Sequence, residues 1–210
     1  MTSKSLILTL TFFFCVTSGI FAQIGNLMGS DICGDGRQTT SIGISGADAG
    51  KYYALYRDDK LFQVRQSNAE EKDNVLSFGN FKETGYYTAV AFDNPVKGFP
   101  SRRGKPVNGK ITIYPVPTLV MGDTLKIKSG ETIHYVPRAD LQGTVFTWSA
   151  FLKYGKASGF SKTGSSTIVD TIRVEDDRPA CIIYSITPHG ADHIVSCNGD
   201  ARDLVVIIRP

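Results

Sequence analysis

The stretch Gly143-Thr144-Val145-Phe146-Thr147-Trp148-Ser149-Ala150-Phe151 decides the fold class. Val145, Thr147 and Ser149 fall on one face and Phe146, Trp148 and Ala150 on the other. That period of two, written in β-branched and aromatic residues, describes a strand half-buried in a sheet. Trp148, the only tryptophan, is expected to anchor a core.

Outward from this strand the chain is short strands and turns. Alternating or β-rich runs at 41–46, 51–56, 61–64, 75–78, 84–92 and 110–114 are separated by Gly or Asn/Asp clusters, with Arg57-Asp58-Asp59-Lys60 a polar hairpin turn. A second set follows at 124–128, 132–136, 144–151, 166–174, 181–187 and 204–208. No segment carries a helical stripe with caps, so the expected class is all-β. Each half has the size and strand count of a small β-sandwich. Between them, Tyr114-Pro115-Val116-Pro117-Thr118 suits a stiff extended linker, because prolines cannot serve a central strand.

The N-terminus is laid out as a secretory signal peptide. Lys4 precedes an apolar run over 6–16, and Gly19-Ile20-Phe21-Ala22 stands before Gln23, where cleavage is expected. The run is shorter than the roughly 20 apolar residues of a membrane span, and no later segment approaches that length. A lipidation signal would need small residues where Phe12-Phe13-Phe14 precede Cys15. The expected organisation is a signal peptide at 1–22, a short segment at 23–30, an Ig-like β-sandwich at 31–114, a Pro-rich linker at 115–118 and a second sandwich at 119–210. The formal charge of +3 includes Lys4, so the mature chain is near neutral, which argues against bulk nucleic-acid binding.

Within the first block, Gly85-x-Tyr87-x-Ala89 has the spacing of a tyrosine corner, in which the hydroxyl turns back to the chain upstream. In the second block stand Gly122-Asp123-Thr124-Leu125-x-Ile127-x-Ser129-Gly130-Glu131, Gly143-Thr144-x-Phe146-Thr147-Trp148, Tyr184-Ser185-Ile186-Thr187-Pro188 and Cys197-Asn198-Gly199. From about residue 117 to 210 the chain resembles the PKD-like domain of large surface proteins, found mainly in Bacteroidetes near gliding-motility and adhesion proteins. The first block, with Ile32-Cys33, Tyr53-x-Leu55-Tyr56-Arg57 and Gly85-x-Tyr87-Thr88-x-x-Ala91, resembles the Ig-like module that accompanies it. The resemblance implies an extracytoplasmic, non-enzymatic module at the cell surface or in the periplasm.

In the pattern of that family, a cysteine early in each domain faces one in the last long loop. Here Cys33 finds Phe99 near the expected position and Cys197 finds Lys128. In a sandwich the first strand starts at the pole that carries the F–G loop, and the last strand ends at the other pole. Cys33 and Cys197 are therefore expected to lie about one domain length apart, far beyond the ~7 Å limit for a disulfide. Cys181 is at the far end of its strand from Cys197, so no disulfide within either domain is expected and the mature chain should show three thiols.

Candidate binding residues lie in loops, where function sits if strands are scaffold. Lys97, Phe99, Arg102, Arg103 and Lys105 combine cations with an aromatic and no acid, a chemistry suited to an anionic glycan, lipid phosphate or acidic protein. His189, Asp192 and His193, with Cys197 and Asp200 nearby, are zinc-ligand types without a recognised spacing, so a polar loop and no metal are expected. Glu175-Asp176-Asp177 offers oxygens to calcium but reads as a solvated turn. The chain carries no Gly-x-Ser-x-Gly, His-Glu-x-x-His or phosphate-cradling motif, so no enzyme activity and no cofactor are expected. Adhesion or surface assembly through an extracellular glycan or surface protein is the expected role. The alternatives are a carbohydrate-binding module stacking sugars on Tyr52, Tyr86 and Tyr154, or a structural spacer.

Overall fold

The computed structural model describes residues 25–68, 74–93, 104–122, 124–191 and 197–210, and the expected signal peptide lies outside them. The described residues form two β-sandwiches in tandem, each with its own hydrophobic core.

The first is built from β1 (Asn26–Met28), β2 (Ile32–Cys33), β3 (Thr40–Ser45), β4 (Tyr52–Arg57), β5 (Lys60–Gln66), β6 (Val75–Phe81), β7 (Gly85–Phe92), β8 (Lys105–Pro106) and β9 (Ile111–Tyr114). One sheet has the order β1-β3-β6 and the other β2-β9-β7-β4-β5, with β8 also paired to β7. This is the two-sheet arrangement of an immunoglobulin-type sandwich. Ile42 and Ile44 of one sheet and Tyr53, Leu55, Tyr87 and Ile113 of the other meet in its core, each fully buried. β4 and β5 are joined by a two-residue turn, Asp58 and Asp59, with φ of 48° and 62°. Aspartate tolerates that left-handed region, and such turns match the twist of paired strands. The Tyr87 hydroxyl donates to the Glu83 carbonyl at 2.8 Å, tying the start of β7 to the preceding turn.

The first edge changes sheets early. β1 runs antiparallel to β3 in one sheet, and within a few residues β2 runs parallel to β9 in the other, Ile32 opposite Ile113 and Cys33 opposite Tyr114. The chain has crossed the sandwich and travelled to the end where β9 leaves it.

The second sandwich comprises β10 (Thr124–Lys128), β11 (Thr132–Tyr135), β12 (Val145–Tyr154), β13 (Ala157–Ser158), β14 (Thr163–Ser165), β15 (Ile168–Thr171), β16 (Arg173–Val174), β17 (Ala180–His189) and β18 (Arg202–Arg209). Its larger sheet has the order β10-β18-β17-β12-β14 and faces the pair β11-β15, while β13 pairs with β16. The single strand expected over 166–174 is instead divided among segments in different sheets. Ser166 adopts φ 61° and donates its N–H to the Phe146 carbonyl at 3.0 Å, so the chain breaks there and crosses to the opposite sheet. The strand around Trp148 runs on to Tyr154 through a bulge after Leu152.

Trp148 is buried and meets Tyr184 edge-on, ring centroids 5.6 Å apart. Gly164 lies opposite it in register, and any Cβ there would collide with the indole, so this glycine makes the room the tryptophan occupies. Tyr184 spans the sandwich. Its hydroxyl donates to the buried Asp170 carboxylate at 2.7 Å, and Asp170 also accepts from the Ser161 N–H at 3.1 Å and hydroxyl at 2.8 Å. Burial first, and then the bond to Asp170, push the Tyr184 phenol well above its ordinary range. Removing one partner of a buried carboxylate costs about 1–3 kcal/mol. Tyr184→Phe is therefore expected to lower the urea midpoint of the second sandwich, followed by the fluorescence of Trp148. An unchanged midpoint would show that the bond across the sheets contributes nothing.

Candidate functional site

The side chains that the fold brings together from the greatest sequence distance meet where the two sandwiches join. On the first sandwich, Asp31 accepts the Thr112 N–H at 2.7 Å and Gly34 donates to the Tyr114 carbonyl at 2.8 Å, holding Cys33 beside the end of β9. A Cβ at Gly34 would press on Thr84 and Ile113, so the chain lies close against the strand.

On the second sandwich, the loop after β17 returns as a narrow hairpin. His189 bridges to Asn198, Gly190 donates to the Cys197 carbonyl at 2.9 Å, and Gly199 donates to the Pro188 carbonyl at 2.9 Å. The His189 ring reinforces this base. Nδ1 contacts Asn198 Oδ1 at 2.7 Å and Nε2 contacts Thr147 Oγ1 at 2.7 Å. Since the Asn198 Oδ1 only accepts, Nδ1 carries a proton, and in the neutral ring Nε2 accepts from Thr147.

Between these two pieces runs the linker. Thr118 donates to Asp140 Oδ1 at 2.8 Å, Val120 donates to the Arg138 carbonyl at 2.8 Å, and Leu119 is buried in the second core. Pro117 is buried with its carbonyl under Gly199, where any side chain at residue 199 would collide with it. Cys33 and Cys197 are joined as a disulfide across this junction, with Cα atoms 5.5 Å apart and a sequence separation of 164. Arg37 and Asp200 flank it with an ion pair at 2.8 Å, both side chains largely exposed. Such a pair contributes little by itself and weakens with salt, so the covalent link carries the constraint.

The expectation that Cys33 and Cys197 lie a domain length apart is thus overturned. It placed Cys33 at the start of the first strand, whereas Cys33 lies in the second, β2, after the chain has crossed from β1 and reached the linker pole. Cys181 keeps a free thiol, buried, and burial pushes its pKa up, which makes it a poor nucleophile.

The other candidates are dispersed. Lys97, Phe99, Arg102 and Arg103 lie outside the described residues, as do Asp192 and His193. Lys105 is exposed in β8 opposite Ala91. His189 is engaged by Thr147 and Asn198, and among the described residues no group of three His, Cys, Asp or Glu side chains is placed to hold a metal. Asp176 accepts from the Arg178 backbone and guanidinium, both at 3.2 Å, and these bonds hold its carboxyl below the ordinary range. Tyr52 is half-buried and stacked on Phe92, Tyr86 lies at the opposite end of β7 from Phe92, and Tyr154 is in the other sandwich, so the three form no row. Thr147, His189 and Asn198 have the connectivity of a nucleophile, base and orienting group. Among the described residues, their hydrogen bonds are exposed to solvent. Arg37, Asn198, Gly199 and Asp200 were not singled out from the sequence as a junction, and only Cys197-Asn198-Gly199 carried a local sign of a tight turn.

Residues 120–210 match the family model of the PKD-like domain. No curated protein matches the chain. Among solved structures, the D1-D2 domains of Rst align over 90% of this chain and 97% of that one, at 8% identity and a TM-score of 0.45. A three-Ig fragment of titin, I67-I69 in an E-to-A variant, aligns over 89% of this chain at 13% identity and a TM-score of 0.47; the chain spans 64% of that fragment. The assignment of two Ig-like sandwiches rests on the strand orders and registers.

Protein expressed from Gln23 and unfolded without reductant is expected to show one thiol, that of Cys181, and three after reduction. Three thiols before reduction would reject the cross-junction disulfide.

Proposed function

We propose that the chain is a non-catalytic, exported module that works at the cell surface, in adhesion or as a subunit of a surface assembly. The observation that carries this is the Cys33–Cys197 disulfide between the two sandwiches. Structural disulfides persist where the surroundings are oxidising, outside the cytoplasm. A link between two domains also does nothing for chemistry inside either one; it holds the loops of both at a set spacing. We assign the division between the domains to 115–118, a reading supported by the buried Pro117, whose carbonyl packs against Gly199.

The PKD-like match over 120–210 supports a relationship to surface proteins such as those the sequence resembles. Among the described residues no helix is long and apolar enough to cross a membrane. The contact we assign to the first sandwich is the loop bearing Lys97, Phe99, Arg102, Arg103 and Lys105, whose cations suit phosphate, carboxylate or an acidic protein surface.

Protease treatment of intact source cells tests the location. Release of this protein's peptides from unbroken cells is the expected result. Protection until the outer membrane is opened would overturn the surface reading in favour of a periplasmic assembly subunit.

A further inference from the structure

The larger sheet of the second sandwich has an outer face that departs from the rule for a sheet open to water. There, period-two alternation places polar side chains outward. On β18, Leu204, Val206 and Ile208 point into the core, and the outward series is Asp203, Val205, Ile207, Arg209. Val205 and Ile207 are half-buried, Ile183 beside Val205 is buried, and Phe151 opposite Ile183 is 51% exposed. An apolar centre is bounded by a carboxylate at one end of the strand and a guanidinium at the other.

The edge of the same sheet is protected. Lys126 and Lys128 stand exposed along β10, where lysines on an edge strand discourage edge-to-edge pairing, and in register they lie beside Ile207 and Arg209 on this same face, so positive charge flanks the apolar centre at its Arg209 end.

The outward series on β18 is self-complementary. A two-fold axis lying in the plane between the two faces, perpendicular to β18 and level with Val206, lays β18 antiparallel on a copy of itself. Val205 of one copy then meets Ile207 of the other, and Asp203 of one meets Arg209 of the other, twice over. A self-complementary patch is what a two-fold interface requires. Two sheets pack in this way about 10 Å apart with strands within about 30° of each other. The domain junction lies at the Asp203 end, so the antiparallel arrangement sends the two first sandwiches to opposite ends of the dimer, clear of each other.

We propose that this face takes a second copy of the chain, with β18 antiparallel on β18 and Asp203 paired with Arg209. The dimer does not depend on where the protein resides, and its failure would leave the surface proposal standing.

Sedimentation equilibrium of the chain from Gln23, over a series reaching about 1 mM, the weak end of the affinity scale, reads the association. Asp203→Arg and Arg209→Asp each set like charges opposite one another and are expected to weaken it at least about tenfold, because like-charge contacts across an interface are strongly disfavoured. The combined D203R/R209D chain restores opposite charges and is expected to associate within about threefold of the wild type, with a salt dependence in both. Both positions are exposed, and the Trp148 urea transition checks that each variant is folded. A wild type that stays monomeric throughout, single reversals without effect, or a double reversal that associates no better than the singles would each overturn the proposal.

Discussion

A single covalent bond between residues 164 positions apart joins two cores that have no side chain in common. Each sandwich closes its own hydrophobic interior, so neither needs the bond to bury its apolar surface. What the bond constrains is the relation between them. Its geometry depends on features with little meaning inside one domain: the early crossing from β1 to β2, the close approach of Gly34 to β9, and the narrow hairpin held by His189, Asn198 and Gly199. The linker contributes by being short and by burying Pro117, whose carbonyl is packed where residue 199 can have no side chain.

The second sandwich shows how polar groups are accommodated inside such a small core. Asp170 is buried, and its carboxylate is answered by a tyrosine from the opposite sheet and by Ser161. That network joins the two layers through a directed contact, whereas the surrounding isoleucines and valines join them only by filling space. Trp148 packs against the same tyrosine in the room left by Gly164, so aromatic packing and the buried hydrogen bonds support one another. β17 is buried from Ala180 to Tyr184 without alternation, and its outward Ile183 lies beside Val205 in the outer apolar patch that we assign to a second copy.

Much of this architecture was legible in local pattern. The alternation around Trp148, the Asp58-Asp59 turn and the spacing before Tyr87 are signals over a few residues, and short-range sterics and burial decide them. The crossing at Ser166 was not legible, because nothing nearby announces that the chain leaves β14 there for the opposite sheet, ahead of a run that itself divides between β15 and β16. It depends on a left-handed residue bonded to Phe146 on a neighbouring strand. Among the candidate site residues, His189 was expected in a loop, whereas it is the last residue of β17. Its partners Thr147 and Asn198 come from a different strand and from the far side of the hairpin, so its role in holding that hairpin could not be read from spacing.

The amino-acid sequence by itself determined an all-β chain and a resemblance of its second block to the PKD-like domain, because period-two burial and turn chemistry act between neighbours. The tertiary structure alone decided that Cys33 and Cys197 meet and that Arg37 reaches Asp200. Those contacts depend on which pole of each sandwich the chain has reached, a property of its whole path through two sheets that no local run of residues encodes.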